Sequence, residues 1–190
     1  MSPISKITCR IRSLAGDGRG AALVEFGLIL PVLALLVMGT FDVGQLALAH
    51  MKIYNSASSM ADLVARDKTI SNATLTDLFG AASQVAQPLD LDGKGKVIIT
   101  SVSADAPNDP RIFWQAIGTG ALAATSAVGT TIGASANLPP SMQVDDQETI
   151  IVAEVFYKFE PIIGLLDVGT TIYHSAYYRP RLGTLREVLP

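Results

Sequence analysis

The stretch Gly20–Phe41, GAALVEFGLILPVLALLVMGTF, decides the fold of this chain. From Ala21 to Phe41 its 21 residues contain one charged side chain, Glu25. At about 1.5 Å per residue, a helix of this length covers about 31 Å, which matches a hydrocarbon core of about 30 Å. The stretch therefore predicts a transmembrane helix over residues 21–41.

The basic residues around this span predict its orientation. Residues 1–20 contain four of the 14 lysines and arginines and a single acidic residue, Asp17, whereas Lys52 is the one basic residue soon after the span. Positive charge is enriched on the cytoplasmic side of membrane helices. We therefore predict a cytoplasmic basic leader over 1–20, a single pass through the inner membrane, and an extracytoplasmic remainder.

Composition and charge argue against several classes of function. Hydrophobic residues make up 49% of the chain and charged residues 16%, and the net charge is −3. Lys94 and Lys96 are the only close pair of lysines, and no aromatic residues interleave with them, so no nucleic-acid partner is predicted. Cys9 is the only cysteine, which excludes an intrachain disulfide and a cysteine metal site.

A cleavable secretory signal is the alternative to a membrane anchor. Ala47-Leu48-Ala49 resembles a small-residue cleavage site beyond the apolar segment. The apolar run is longer than an ordinary signal core, and the sequence shows no helix-breaking stop directly before the site. Cleavage after Ala49 is therefore the less favoured hypothesis.

Beyond residue 41 the pattern remains helical as far as about Arg66. Apolar and small residues recur at steps of three and four, which is typical of one helix stripe; they are Leu46, His50, Ile53, Ala57, Met60 and Val64. We predict an extracytoplasmic helix extension over 42–67. Because proline donates no hydrogen bond, Pro31 should leave the Gly27 carbonyl unpartnered and kink the helix.

Residues 68–190 predict a small extracytoplasmic α+β domain with a mainly antiparallel sheet. Residues 68–73 are interpreted as a turn and Gly118–Gln147 as a long surface loop. One helix and four strands are predicted, over Thr74–Ala86, Lys96–Ser103, Arg111–Ile117, Glu148–Glu160 and Thr170–Tyr178. In the third strand, apolar odd positions alternate with charged Glu154, Lys158 and Glu160, which indicates a half-buried strand.

The N-terminal residues resemble a known family. Gly20-Ala21-Ala22-Leu23-Val24-Glu25-Phe26, after a basic leader and with Pro31 soon following, is similar to the processing site of type IV pilin-like proteins. It is most similar to the TadE/TadG-like pseudopilins, or minor pilins, of tight-adherence (Flp) pilus systems. The segment 177–181, YYRPR, resembles the end of the last strand in this family, and the middle of the chain carries no family motif.

The resemblance implies a function in assembly rather than catalysis. A membrane-embedded prepilin peptidase would cut between Gly20 and Ala21, and Glu25 and Phe26 would act in recognition and assembly. Gly27 and Pro31 would bend the helix and let it pack closely against other pilin-like subunits and the inner-membrane assembly platform. Whether the protein enters the filament or stays in the membrane as a scaffold is left open.

Glu25 has two interpretations. A carboxylate in the first turns of a helix interacts favourably with the helix dipole and can reach lipid headgroups. An ionisable group within a membrane span also usually has a partner, and cleavage would create one in the new α-amino group of Ala21. We favour the second hypothesis.

The remaining candidate sites are weak. Asp90–Lys96 resembles a calcium loop but lacks its third acidic ligand, and we interpret it as a turn before a strand. His50 and His174 are interpreted as packed or surface residues rather than metal ligands, and 145–148 as a solvated charge cluster. We predict no enzyme, cofactor or metal site. The alternative function is an uncleaved signal-anchored envelope protein whose outer domain binds a ligand or a cell-wall component.

Overall fold

A computed structural model of the chain describes residues 18–107, 109–118, 120–164 and 169–189. Most of the predicted leader, with Cys9, lies outside the described residues. The elements in chain order are α1 (Gly18–Arg66), β1 (Ile70–Ser71), α2 (Asn72–Ala86), α3 (Leu91–Lys94), β2 (Gly95–Ala104), β3 (Pro110–Ile117), β4 (Thr149–Phe159), β5 (Thr170–Tyr178) and β6 (Val188–Leu189).

The long N-terminal helix is confirmed. Helix α1 has 49 residues and continues through Pro31, so it is about 73 Å long at the usual rise per residue. Its first half is exposed and apolar, whereas four residues of the predicted stripe are fully buried; they are Ile53, Ala57, Met60 and Val64. The burial of the second half anchors the helix to the domain.

The domain is built on a four-stranded antiparallel sheet in the order β3-β2-β4-β5. The register places Ile99 of β2 opposite Ala153 of β4, and Val155 of β4 opposite His174 of β5. Helices α1 and α2 cover one face of this sheet and form the main core with it. The predicted α+β class is therefore confirmed.

The second face of the sheet is also covered, which corrects the prediction of a half-buried β4. Ile150, Val152 and Glu154 on this face are buried. Residues of the segment 118–147 close over it and form a second apolar cluster with the sheet, through Val128, Ala136, Val144, Leu138 and Met142. The prediction failed because these apolar residues are irregularly spaced, so no periodicity marked the segment as part of the core.

A short parallel pair joins β1 to β6, with Ile70 opposite Val188. The prediction of a simple turn over 68–73 was therefore wrong at Ile70 and Ser71. Nearby, the Leu185 carbonyl accepts hydrogen bonds from Trp114 Nε1 at 2.8 Å and from Ser101 Oγ at 3.0 Å. Strands of two residues are too short to give a periodic pattern, and long-range pairing alone stabilises them.

Candidate functional site

The exposed half of α1 is the candidate site for membrane insertion and assembly. Its large apolar side chains from Leu23 to Phe41 are exposed, and Phe26 exposes 63% of its surface. Among the described residues, α1 is the one helix long and apolar enough to cross a membrane by length and composition. A contiguous apolar surface of this size is unusual for a soluble protein, which supports a single-pass membrane protein.

The predicted processing residues lie near the start of α1. Gly20 and Ala21 are helical and exposed. A Cβ atom added at Gly20 would meet no other atom within 4 Å. The glycine is therefore not required by packing within the described chain.

Glu25 lies one turn after Ala21 on the same side of α1. It is exposed, and its carboxylate forms no hydrogen bond or ion pair with any side chain that the structure describes. Residues four apart on a helix have Cβ atoms about 5–6 Å from each other. A cationic group at Ala21 would therefore lie within reach of this carboxylate.

Gly27 and Pro31 are also one turn apart. A Cβ atom at Gly27 would meet nothing within 4 Å, so this face of the helix is open to close approach by another helix. The helix continues on both sides of Pro31, and the bend predicted there remains a prediction.

His50 and His174 are far apart in the sequence, but the fold brings them together. His50 Nδ1 lies 3.1 Å from His174 Nε2, and the two rings meet edge to face with their centroids 5.3 Å apart. The Tyr54 ring also contacts His174, with centroids 5.9 Å apart. Burial and the nearby His50 lower the pKa of His174. The pair links α1 to β5 across 124 positions of sequence.

The alternation in β4 predicts a solvent-facing Glu154, and this prediction is wrong, because the side chain is completely buried. Its carboxylate accepts hydrogen bonds from the Ser126 hydroxyl, from Ala127 N at 2.9 Å and from the Tyr173 hydroxyl at 2.9 Å. Burial, together with the Glu154 charge, raises the pKa of Tyr173. The bonds from Ser126 and Ala127 fasten the segment 118–147 to the sheet, so the buried carboxylate has a structural role.

Several other charged groups form surface ion pairs. Lys94 and Lys158 contact the Glu160 carboxylate at 2.7 and 2.9 Å, and their hydrogen bonds lower the pKa of Glu160 to about 2. Arg179 pairs with Glu148 at 2.9 Å, so the predicted solvated cluster is partly neutralised. Within the described ranges, no group of three or more histidine, cysteine, aspartate or glutamate side chains could hold a metal ion.

Comparison with known proteins identifies a family resemblance within α1. The family model described as "TadE-like protein" matches residues 20–65. Comparison with curated proteins and comparison with solved structures gave no significant match. The matched segment begins at the predicted processing glycine and ends one residue before the end of α1. Residues 20–65 are therefore a TadE-like segment, and the resemblance predicted from the sequence is confirmed over them.

Proposed function

We propose that this protein is a minor pilin or pilus-assembly component of a tight-adherence (Flp) pilus. The observation that carries this proposal is the coincidence of the TadE-like match over 20–65 with one continuous helix whose first half is exposed and apolar. TadE-like proteins are structural components of pilus systems and are not known as enzymes. The proposed function is accordingly assembly through helix packing, and not catalysis.

The first step of the proposed mechanism is membrane insertion followed by cleavage. The leader 1–20 stays in the cytoplasm, residues 21–41 span the inner membrane, and a prepilin peptidase cuts after Gly20. The open space around Gly20 supports this step, because no packing contact accounts for a glycine there. Glycine suits a cleavage site because it lets the backbone extend and approach a protease closely.

The second step is pairing of Glu25 with the new α-amino group of Ala21. An ionised carboxylate inside a bilayer costs up to about 3 kcal/mol near its centre, so it favours a cationic partner. The spacing of one helical turn permits pairing within the chain, and the exposure of Glu25 permits pairing with a neighbouring subunit. Pairing with a neighbouring subunit would align the two helices in a defined register, and pairing within the chain would neutralise the carboxylate.

The third step is lateral packing against other pilin-like helices or against the inner-membrane assembly platform. Large exposed apolar side chains supply the contact area. Gly27 leaves room for close approach of a second backbone, as small residues do in membrane helix pairs. Pro31 would set the direction in which the helix bends around its neighbours.

Coexpression with a tight-adherence prepilin peptidase tests this proposal. Intact-mass measurement should show that the peptidase removes residues 1–20 from the unaltered chain. Gly20→Val should block the cut, while Gly18→Val, a control two residues earlier, should leave it in place. An unchanged mass in the presence of an active peptidase, or equal cutting of the Gly20→Val variant, would contradict the proposal.

A further inference from the structure

The connection between β4 and β5 exposes two adjacent isoleucines. Ile162 exposes 81% of its surface and Ile163 exposes 43%. Pro161 precedes them and Gly164 follows, so this short segment carries no charge. Apolar surface left in water gives up the favourable free energy of transfer into an apolar environment. An exposed apolar segment of this kind marks a contact surface.

The segment lies at the end of the domain where α1 enters. A cavity of about 410 Å³ is bounded by Gln45 and Leu48 of α1 together with Phe159 and Ile162. These helix residues follow the predicted end of the span, Phe41, by four to seven positions. At about 1.5 Å per residue they lie about 6–11 Å beyond the hydrocarbon core, and the headgroup layer on each side is about 5–8 Å thick.

The start of the connection is held in place. Lys94 of α3 and Lys158 of β4 both bind the Glu160 carboxylate, at 2.7 and 2.9 Å. The residue before Pro161 is thereby tied to two elements of the domain. The two isoleucines therefore follow closely after a charged residue that is paired with both α3 and β4.

We propose that Pro161–Gly164 is a second membrane contact, in which Ile162 and Ile163 enter the headgroup layer of the leaflet through which α1 leaves the bilayer. The inference rests on the proposed function, because it uses the span 21–41 to place the bilayer. The occupant is the lipid surface and not a second protein copy, because Ile162 shares a cavity with Gln45 and Leu48 of the chain's own membrane helix, a few residues beyond the predicted span. Two contacts would fix the tilt of the domain against the membrane.

Site-specific fluorescence of the full chain in lipid nanodiscs tests this contact. Replacement of Cys9, the only cysteine, by serine allows one new cysteine to be labelled with an environment-sensitive dye. The test position is Ile162→Cys. Each disc contains anionic phospholipid and one protein copy, with or without lipids that carry a nitroxide quencher, either near the headgroup to report on position 162 or deep in the acyl chain to report on position 33.

Two control positions bracket the test position. Leu33→Cys lies within the predicted span. Leu182→Cys is a matched exposed apolar position, with 59% of its surface exposed. Its neighbour Arg181 donates a backbone hydrogen bond to the Ala65 carbonyl at 2.9 Å, near the far end of α1 and about 30 Å along the helix from Gln45.

The inference predicts blue-shifted emission and lipid quenching at positions 33 and 162, and neither effect at 182. If position 33 is quenched but position 162 shows neither a blue shift nor quenching, the proposed membrane contact is wrong. The predicted membrane span is then still supported. A blue shift at 162 without lipid quenching would assign the segment to a protein contact and overturn the inference. Absence of quenching at 33 would overturn both the span and the contact. Matching thermal unfolding of the three labelled variants verifies that each is folded.

Discussion

His50 Nδ1 and His174 Nε2 lie 3.1 Å apart, so a hydrogen bond between two imidazoles joins the exposed edge of α1 to β5. Such a bond needs one N–H group and one lone pair, and therefore at least one neutral ring. Burial and the neighbouring ring lower the pKa of His174. A proton on each ring removes this bond and places two like charges side by side, and burial disfavours the charge on His174, so acid weakens the contact between helix and sheet.

The first prediction is a loss of domain stability on mild acidification. Because the pKa of His174 in the folded chain is below its unfolded value of about 6.5, the unfolded chain binds the proton first. The contribution of neutral His174 to the stability of the folded domain is present above about pH 6.5, and it is lost as the pH falls through the pKa of His174 in the folded chain. The melting temperature of the full chain in detergent should fall between about pH 7.5 and pH 5.5.

The control for this prediction is His174→Gln, which removes the titrating ring. This variant should flatten the pH dependence in the same window. Glu160, whose pKa is lowered to about 2, titrates below the window and does not interfere. If the melting temperature of His174→Gln depends on pH as strongly as that of the unaltered chain, His174 is not the group that causes the acid sensitivity.

The second prediction concerns Glu154. Glu154→Ala would leave three donors without their acceptor, among them the buried Ser126 hydroxyl and the Tyr173 hydroxyl, and should lower the free energy of unfolding by about 1–3 kcal/mol. It should also make the segment 118–147 more sensitive to proteolysis. Glu160→Ala removes an exposed carboxylate near the end of the same strand and should have a smaller effect on both measurements. Equal effects of the two variants would show that the buried carboxylate does not fasten the segment.

The third prediction tests how the second half of α1 packs. Met60 is fully buried in the core between α1 and the sheet. Met60→Ala should lower the free energy of unfolding by about 2–5 kcal/mol because it leaves a cavity. Leu63, one turn away on the exposed side, provides the control, since Leu63→Ala should cost much less. Chemical denaturation of the full chain in detergent measures the free energy of unfolding of both variants. If Leu63→Ala lowers it more than Met60→Ala does, the face of α1 that packs on the sheet has been identified wrongly.

The fourth prediction separates processing from assembly. Glu25→Gln keeps the size of the side chain and removes its charge, so it should still be cut after Gly20 but should fail to pair with the new α-amino group of Ala21. We expect a mature protein of normal mass and a loss of pilus assembly, measured by electron microscopy of the host cells. Normal pili made with the Glu25→Gln protein would rule out the pairing.

The sequence predicted those parts of the fold that depend on local pattern. Helix α1 was predicted from one apolar run and from a stripe of small and apolar residues. Helix α2 begins two residues earlier than predicted, because the Ser71 hydroxyl caps it by accepting a hydrogen bond from Thr74 N at 3.2 Å. The strand β5 was predicted over its full range. In each of these elements, the residues that determine the structure are close together in the sequence.

The features that sequence reasoning missed depend on contacts between distant segments. Glu154 falls at a position that alternation assigns to solvent, and only the irregular segment 118–147 buries it. His50 and His174 meet because α1 packs on β5. No local pattern records either contact, although a glutamate within an otherwise apolar strand is itself a signal that a buried partner can be sought.

The most direct test of the account is the N-terminal residue of the protein isolated from its native host, determined by mass spectrometry of its first peptide. The account predicts that the mature chain begins at Ala21, with Glu25 as its fifth residue. A chain that begins at Met1 would contradict processing and favour an uncleaved anchor, and a chain that begins at His50 would show that the helix is a secretory signal.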